Sequence, residues 1–160
     1  CGSTLGNSAE LIKSLPFPVL SQWGMEISFT YNESITKYYF RLRLSFAFDI
    51  YETTLVLTPA TTTLAYLDVA GNEVAIDTAI HLIPQNYHFN IVKVVFDNVN
   101  KKYVRAILNE TEYPLVDIDA YTFLTGTEEY VMEGWVKVEG EAGDNEVVYL
   151  DEFILTQNEP

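Results

Sequence analysis

From Trp23 onward the chain alternates between apolar and polar positions. Trp23, Met25, Ile27, Phe29 and Tyr31 fall on one face, and Gly24, Glu26, Ser28 and Thr30 on the other. A period of two over such a length predicts a half-buried strand. The next stretch repeats the rule, with Phe40, Leu42, Leu44, Phe46 and Phe48 pointing one way. Tyr39, Arg41, Arg43, Ser45 and Asp49 point the other. A slip of one residue would drive both arginines into the core, so the register is strongly specified.

Further strands are expected over 52–58, stopping at Pro59, and over 63–69 and 73–82, joined across Ala70-Gly71-Asn72. Residues 89–96 form a dense apolar strand, and 102–108 return with Val104, Ala106 and Leu108 on one side. Strands over 112–118, 130–139 (carrying Trp135) and 146–156 complete the set. Ser8 is placed to cap a single helical turn over 9–13, which Pro16 and Pro18 would end. About ten short, evenly spaced strands without alternating helices predict an all-β protein. The expected form is a two-sheet antiparallel β-sandwich of the jelly-roll kind, with at most one short N-terminal helical turn. Residues 1–15 read as a flexible lead and 16–157 as a single sandwich domain.

Composition agrees with strands, because Tyr (11), Phe (9) and Trp (2) are abundant and suit a pleated surface. A net charge of −14 argues against nucleic acid, whose phosphates need a cationic face, and against anionic membrane surfaces. The acidity reads as solubility, or as life in a salty or calcium-rich medium. The sequence has no apolar run of about 18 residues, so no helical membrane insertion is expected. The single cysteine, Cys1, cannot form an internal disulfide. It is either the lipid-bearing residue of a surface lipoprotein or a boundary of the piece. Two glycosylation triplets, Asn32-Glu33-Ser34 and Asn109-Glu110-Thr111, matter only in a glycosylating host.

Residues 87–114, YHFNIVKVVFDNVNKKYVRAILNETEYP, resemble the central hairpin of concanavalin A-like and laminin-G-like jelly rolls. Trp23-Gly24-Met25-Glu26-Ile27-Ser28-Phe29 resembles their opening strand, and residues 147–155, VVYLDEFIL, the closing one. The resemblance implies an extracellular or cell-surface sandwich that binds carbohydrate. It also implies a structural calcium at an aspartate in the position of Asp151. The glucanase signature of that superfamily sets two glutamates around an aspartate on one strand, across the scissile bond. Here Val116-Asp117-Ile118-Asp119-Ala120-Tyr121 lacks both glutamates, and no glycosidase activity is expected.

Candidate chemistry is sparse. His81 and His88 are the only histidines, neither in a nucleophile or zinc motif, and both read as surface or cross-strand hydrogen-bonding groups. Calcium, which takes carboxylates and carbonyls, has Asp144, Asn145 and Asp151 as candidate ligands, although a strand-borne aspartate is often merely exposed. A sugar site needs an aromatic ring to stack on a pyranose, with polar partners beside it. Trp135 leads the candidates, followed by Tyr39, Arg41 and Arg43 on one strand face. The competing reading makes the ring core and pairs the arginines with acidic neighbours. Two functions follow. One is a non-catalytic extracellular binding module whose partner is a glycan. The other is a structural or adhesive subunit of a surface assembly, filament or viral particle, whose partner is a neighbouring protein and which could oligomerise.

Overall fold

The structure is a computed structural model, and it describes residues 8–15, 21–31, 34–83, 88–141 and 147–159. Its strands are β1 (Ser8–Leu15), β2 (Gln22–Thr30), β3 (Ile35–Thr58), β4 (Thr63–Leu67), β5 (Glu73–Asp77), β6 (Phe89–Asp97), β7 (Lys102–Leu108), β8 (Thr111–Pro114), β9 (Tyr121–Gly140) and β10 (Leu150–Gln157). One short 3₁₀ turn, Pro59–Thr61, follows β3. The strands form two antiparallel five-stranded sheets. Sheet A runs in the order β1-β9-β3-β4-β5, and sheet B in the order β10-β2-β6-β7-β8. The protein is a β-sandwich.

The predicted inward faces make the core. Trp23, Met25, Ile27 and Phe29 of β2 are fully buried, as are Phe40, Leu42 and Leu44 of β3 and Val92, Val94 and Phe96 of β6. Rings from the two sheets meet in the middle, Phe29 lying 5.1 Å from Tyr38 and 5.2 Å from Phe40. Gly134 of β9 faces the same interior. A methyl there would stand 2.7 Å from Leu155 and 3.1 Å from the Met25 sulfur. A side chain at this position would therefore force the Leu155, Met25 and Phe153 side chains to repack.

β3 is one extended run in sequence but not one straight strand. Arg41 Nε lies 3.4 Å from Glu52 Oε2, although the residues are eleven positions apart. A straight strand would separate them by about 36 Å, so β3 doubles back. The symmetry of the 41–52 contact puts the fold at Phe46 and Ala47. Ala47 has φ 57°, the left-handed conformation that a reversal needs. The first arm pairs with β9 from Ile35↔Gly140 to Ala47↔Glu129. The second arm pairs with Leu124–Tyr121 through Asp49–Glu52 and then with β4 through Leu55–Thr58. Residues 125–128 carry β9 around the tip.

Several expectations are corrected. Alternation puts Phe46 and Phe48 on the inward face, but they are 47% and 53% exposed, because they flank the reversal at the tip. Residues 9–13 are strand and not helical turn. An isolated turn this short is unstable, whereas pairing with the open edge of β9 satisfies its backbone from Ser8↔Glu139 to Leu15↔Met132. The strand expected over 73–82 stops at Asp77. In β7 the expected inward triplet is broken by a register shift opposite Val95 and Phe96. Tyr103 is buried in place of Val104, while Ala106 and Leu108 point inward as expected.

Candidate functional site

The outer face of sheet A gathers the residues on which sugar binding was expected to rest. Tyr39, Arg41 and Arg43 alternate outward along the first arm of β3, and cross-strand pairing sets Arg41 directly beside Trp135 of β9. The guanidinium carbons of Arg41 and Arg43 lie 5.3 and 5.7 Å from the centre of the Trp135 ring. Both distances are within cation–π range. Trp135 is only half-buried, and its indole N–H donates to Glu133 Oε2 at 3.0 Å. Ser14 of β1 donates to the other oxygen of the same carboxylate at 3.1 Å. The ring is therefore held by two cations and one oriented acceptor.

Tyr39 lies one step along the same face. Its hydroxyl donates to Glu139 at 3.1 Å, and the Lys137 ammonium lies 5.4 Å from its ring centre. Burial, and then the neighbouring Glu139 charge, push the Tyr39 hydroxyl well above the ordinary tyrosine range, so it stays a donor at any physiological pH. Glu52 is buried under Arg41. Burial raises its carboxyl above the usual value against the opposing pull of Arg41 and Arg43.

The arginines retain unused hydrogen-bonding capacity. Arg43 approaches Glu129 and Glu133 only at 3.7 and 3.9 Å, too long for hydrogen bonds. The buried Nε atoms of Arg41 and Arg43 and the hydroxyl of Ser45 have no hydrogen-bond partner among the described residues. Buried donors of this kind are normally satisfied. They lie beneath the surface, so what the face offers to a ligand is the partly exposed indole and the guanidinium groups beside it.

Three participants were not foreseen. Glu52 reaches the site only because β3 folds back. Ser14 and Ile12 reach it only because residues 8–15 form a strand, with Ile12 opposite Trp135. Glu133 was legible from the sequence, since it shares Trp135's face two positions earlier.

Of the calcium candidates, only Asp151 lies among the described residues. Asp151 is exposed on β10, where its own carboxylate accepts from the Glu152 N–H at 2.9 Å beside a register shift. Asp144 and Asn145 lie outside the described residues. Among the described residues, no group of three or more His, Cys, Asp or Glu side chains is placed to hold a metal ion. His81 and His88 are exposed and lie outside the strands.

No protein-family model matches the sequence, and no curated protein matches it. Among solved structures, this chain is similar to the CBM40 module of Ruminococcus gnavus IT-sialidase bound to alpha2,3 sialyllactose. The identity is 15%, the coverage 89% of this chain and 95% of the other, and the TM-score 0.38. It is also similar to the CBM2 module of the evolved Dit of Lactobacillus casei BL23 phage J-1. There the identity is 10%, the coverage 94% and 70%, and the TM-score 0.42.

Proposed function

We propose that the protein is a non-catalytic, extracellular carbohydrate-binding module whose sugar lies on the outer face of sheet A. The supporting observation is the partly exposed Trp135 ring, flanked by the Arg41 and Arg43 guanidinium groups, with Arg43 meeting its carboxylate neighbours only at 3.7 and 3.9 Å. The ring would stack on the apolar face of a pyranose, and the Arg43 guanidinium and the Tyr39 hydroxyl would meet its hydroxyls. The local charge favours a neutral glycan over an acidic one. Arg41, Arg43 and Lys137 are already opposed by Glu52, Glu129, Glu133 and Glu139. An anionic sugar would have to compete with those carboxylates.

A glycan array run on the wild type and on Trp135→Ala tests this reading. Binding to neutral oligosaccharides is expected, with a loss of at least tenfold in the variant, the size of about 1.4 kcal/mol of lost stacking. Phe89→Ala is the control. Phe89 borders a separate apolar groove of about 480 Å³ with Ile83, Ile91 and Tyr113. Binding lost in Phe89→Ala but kept in Trp135→Ala would move the site to that groove. No binding to any glycan would end the proposal.

A second reading, a subunit of a surface assembly, draws on the open edge of sheet A. β1 is an edge strand carrying exposed Leu11 and Ile12, and such an edge can accept a strand from a neighbour. Light scattering over a range of concentrations would support this reading by showing reversible oligomers. A strict monomer would count against it.

A further inference from the structure

The outer face of sheet B holds a second polar arrangement, far in character from the Trp135 face. After β10 ends at Gln157, the chain turns at Asn158, whose N–H donates to Gln22 O at 3.1 Å. This lays Glu159 over β2, β6 and β7. The Glu159 side chain is only 6% exposed. One carboxylate oxygen meets Lys93 Nζ at 2.8 Å and the other meets Arg105 Nη2 at 3.1 Å. The Thr156 hydroxyl donates to the first. Glu26 stands at the rim, 3.7 Å from Lys93.

The floor of this arrangement is Gly24. A Cβ there would stand 2.9 Å from Thr156 Oγ1 and 3.3 Å from Glu159 Oε1 and Val94 O, so glycine lets the hydroxyl and the carboxylate settle close against the sheet. Two cations from different strands, one hydroxyl and a cleared floor converge on a single carboxylate. Charge-assisted contacts to both oxygens are the geometry by which proteins recognise that group. Burial pushes the Glu159 carboxyl up. The hydrogen bonds from Lys93 and Thr156 and the charges of Lys93 and Arg105 outweigh that and hold it below the ordinary range, so the group sits there ionised.

We infer that Gly24, Lys93, Arg105 and Thr156 form a carboxylate-binding site. The protein's own Glu159 fills it as a tethered occupant, and displacing Glu159 opens it to a small carboxylate-bearing ligand. The site is independent of the Trp135 face, which lies on the other sheet. A short tether gives an intramolecular occupant an effective concentration in the millimolar range or above, so a free carboxylate of ordinary weak affinity is excluded while Glu159 is in place.

Glucuronate is the probe, with glucose as the uncharged control, and binding is followed by NMR shifts of the Lys93 and Arg105 backbone amides. Wild type is expected to bind glucuronate at least tenfold more weakly than Glu159→Ala. Glucose should bind neither at this site, and raised salt should abolish the gain. Glu159→Gln, which keeps the side-chain volume, serves if the alanine variant loses its fold, with the same order expected. Trp135→Ala combined with Glu159→Ala should keep the gain, which separates this site from the proposed sugar face. Folded Glu159 variants that take up glucuronate no better than wild type would overturn the inference and leave Glu159 as a structural clasp.

Discussion

Tyr103 shows how one hydroxyl can complete a sheet to which it does not belong. The second arm of β3 is paired through Glu52 and again from Leu55, and the backbone of Thr54 falls in the interval. Tyr103, reaching across from β7 in sheet B, fills it. Its hydroxyl accepts from the Thr54 N–H at 2.8 Å and donates to Leu67 O at 2.9 Å. Burial drives its pKa far above the ordinary tyrosine value, so the group remains a neutral donor and acceptor. Tyr103→Phe keeps the ring but strands a buried N–H and a carbonyl. It should cost about 1–3 kcal/mol in urea unfolding with an unchanged slope. The sequence marks Tyr103 as the head of a strand, but its inward turn depends on a register shift that alternation alone does not show.

Glu159 gives a residue-scale expectation in pH. Its folded pKa is depressed, so its contribution is present above the unfolded carboxylate value, about 4.3. The contribution is lost as pH falls through the lower folded value. Thermal melts should show wild type more stable than Glu159→Gln near neutrality, with the gap closing as pH falls below the unfolded carboxylate value and through the lower folded one. A gap that is constant across this range would show that the carboxylate charge is not what holds the tail.

At the scale of elements, the folded-back β3 organises sheet A. It brings Glu52 beneath Arg41 and gives β9 two lengths of backbone to pair with. Its weak point is Ala47, a non-glycine residue at φ 57°. The left-handed conformation costs an alanine about 1 kcal/mol. Ala47→Gly should therefore raise stability by about that amount, and Ala47→Val should lower it, because a β-branched side chain tolerates positive φ poorly. Equal melting temperatures for all three proteins would argue against a reversal at this residue. Both arms of β3 are legible in the sequence, the first in the alternation of Tyr39–Asp49 and the second in the short strand over 52–58 that Pro59 ends. The reversal was not, because Phe46-Ala47-Phe48 contains none of the Asn-Gly or Asp-Gly chemistry that marks tight hairpins. Its apolar residues instead prolong the inward pattern past the tip. The sequence hides β1 for a related reason. Five helix-compatible residues after a capping serine look local, while their partner lies more than a hundred positions away in β9.

For the whole molecule, the sandwich followed from alternation because each slip would have buried arginine or exposed phenylalanine. The membership of the Trp135 face followed in part. Tyr39, Arg41 and Arg43 had to share a face, and Trp135, Glu133 and Lys137 had to share another. That these two faces are one surface is a fact of strand order, set by β3 and β9 lying side by side. The two outer faces then differ in kind. Sheet A presents a half-exposed indole among opposed charges, whereas sheet B presents two cations closed over by the chain's own carboxylate.

The protein has two tryptophans, which allows a direct measurement. Trp23 is fully buried between the sheets, whereas Trp135 stands on the proposed sugar face. Indole N–H signals followed by ¹H–¹⁵N NMR during titration with neutral hexose and N-acetylhexosamine oligosaccharides should show the Trp135 signal moving saturably while that of Trp23 stays fixed. Saturable binding that leaves the Trp135 indole unmoved would contradict the account.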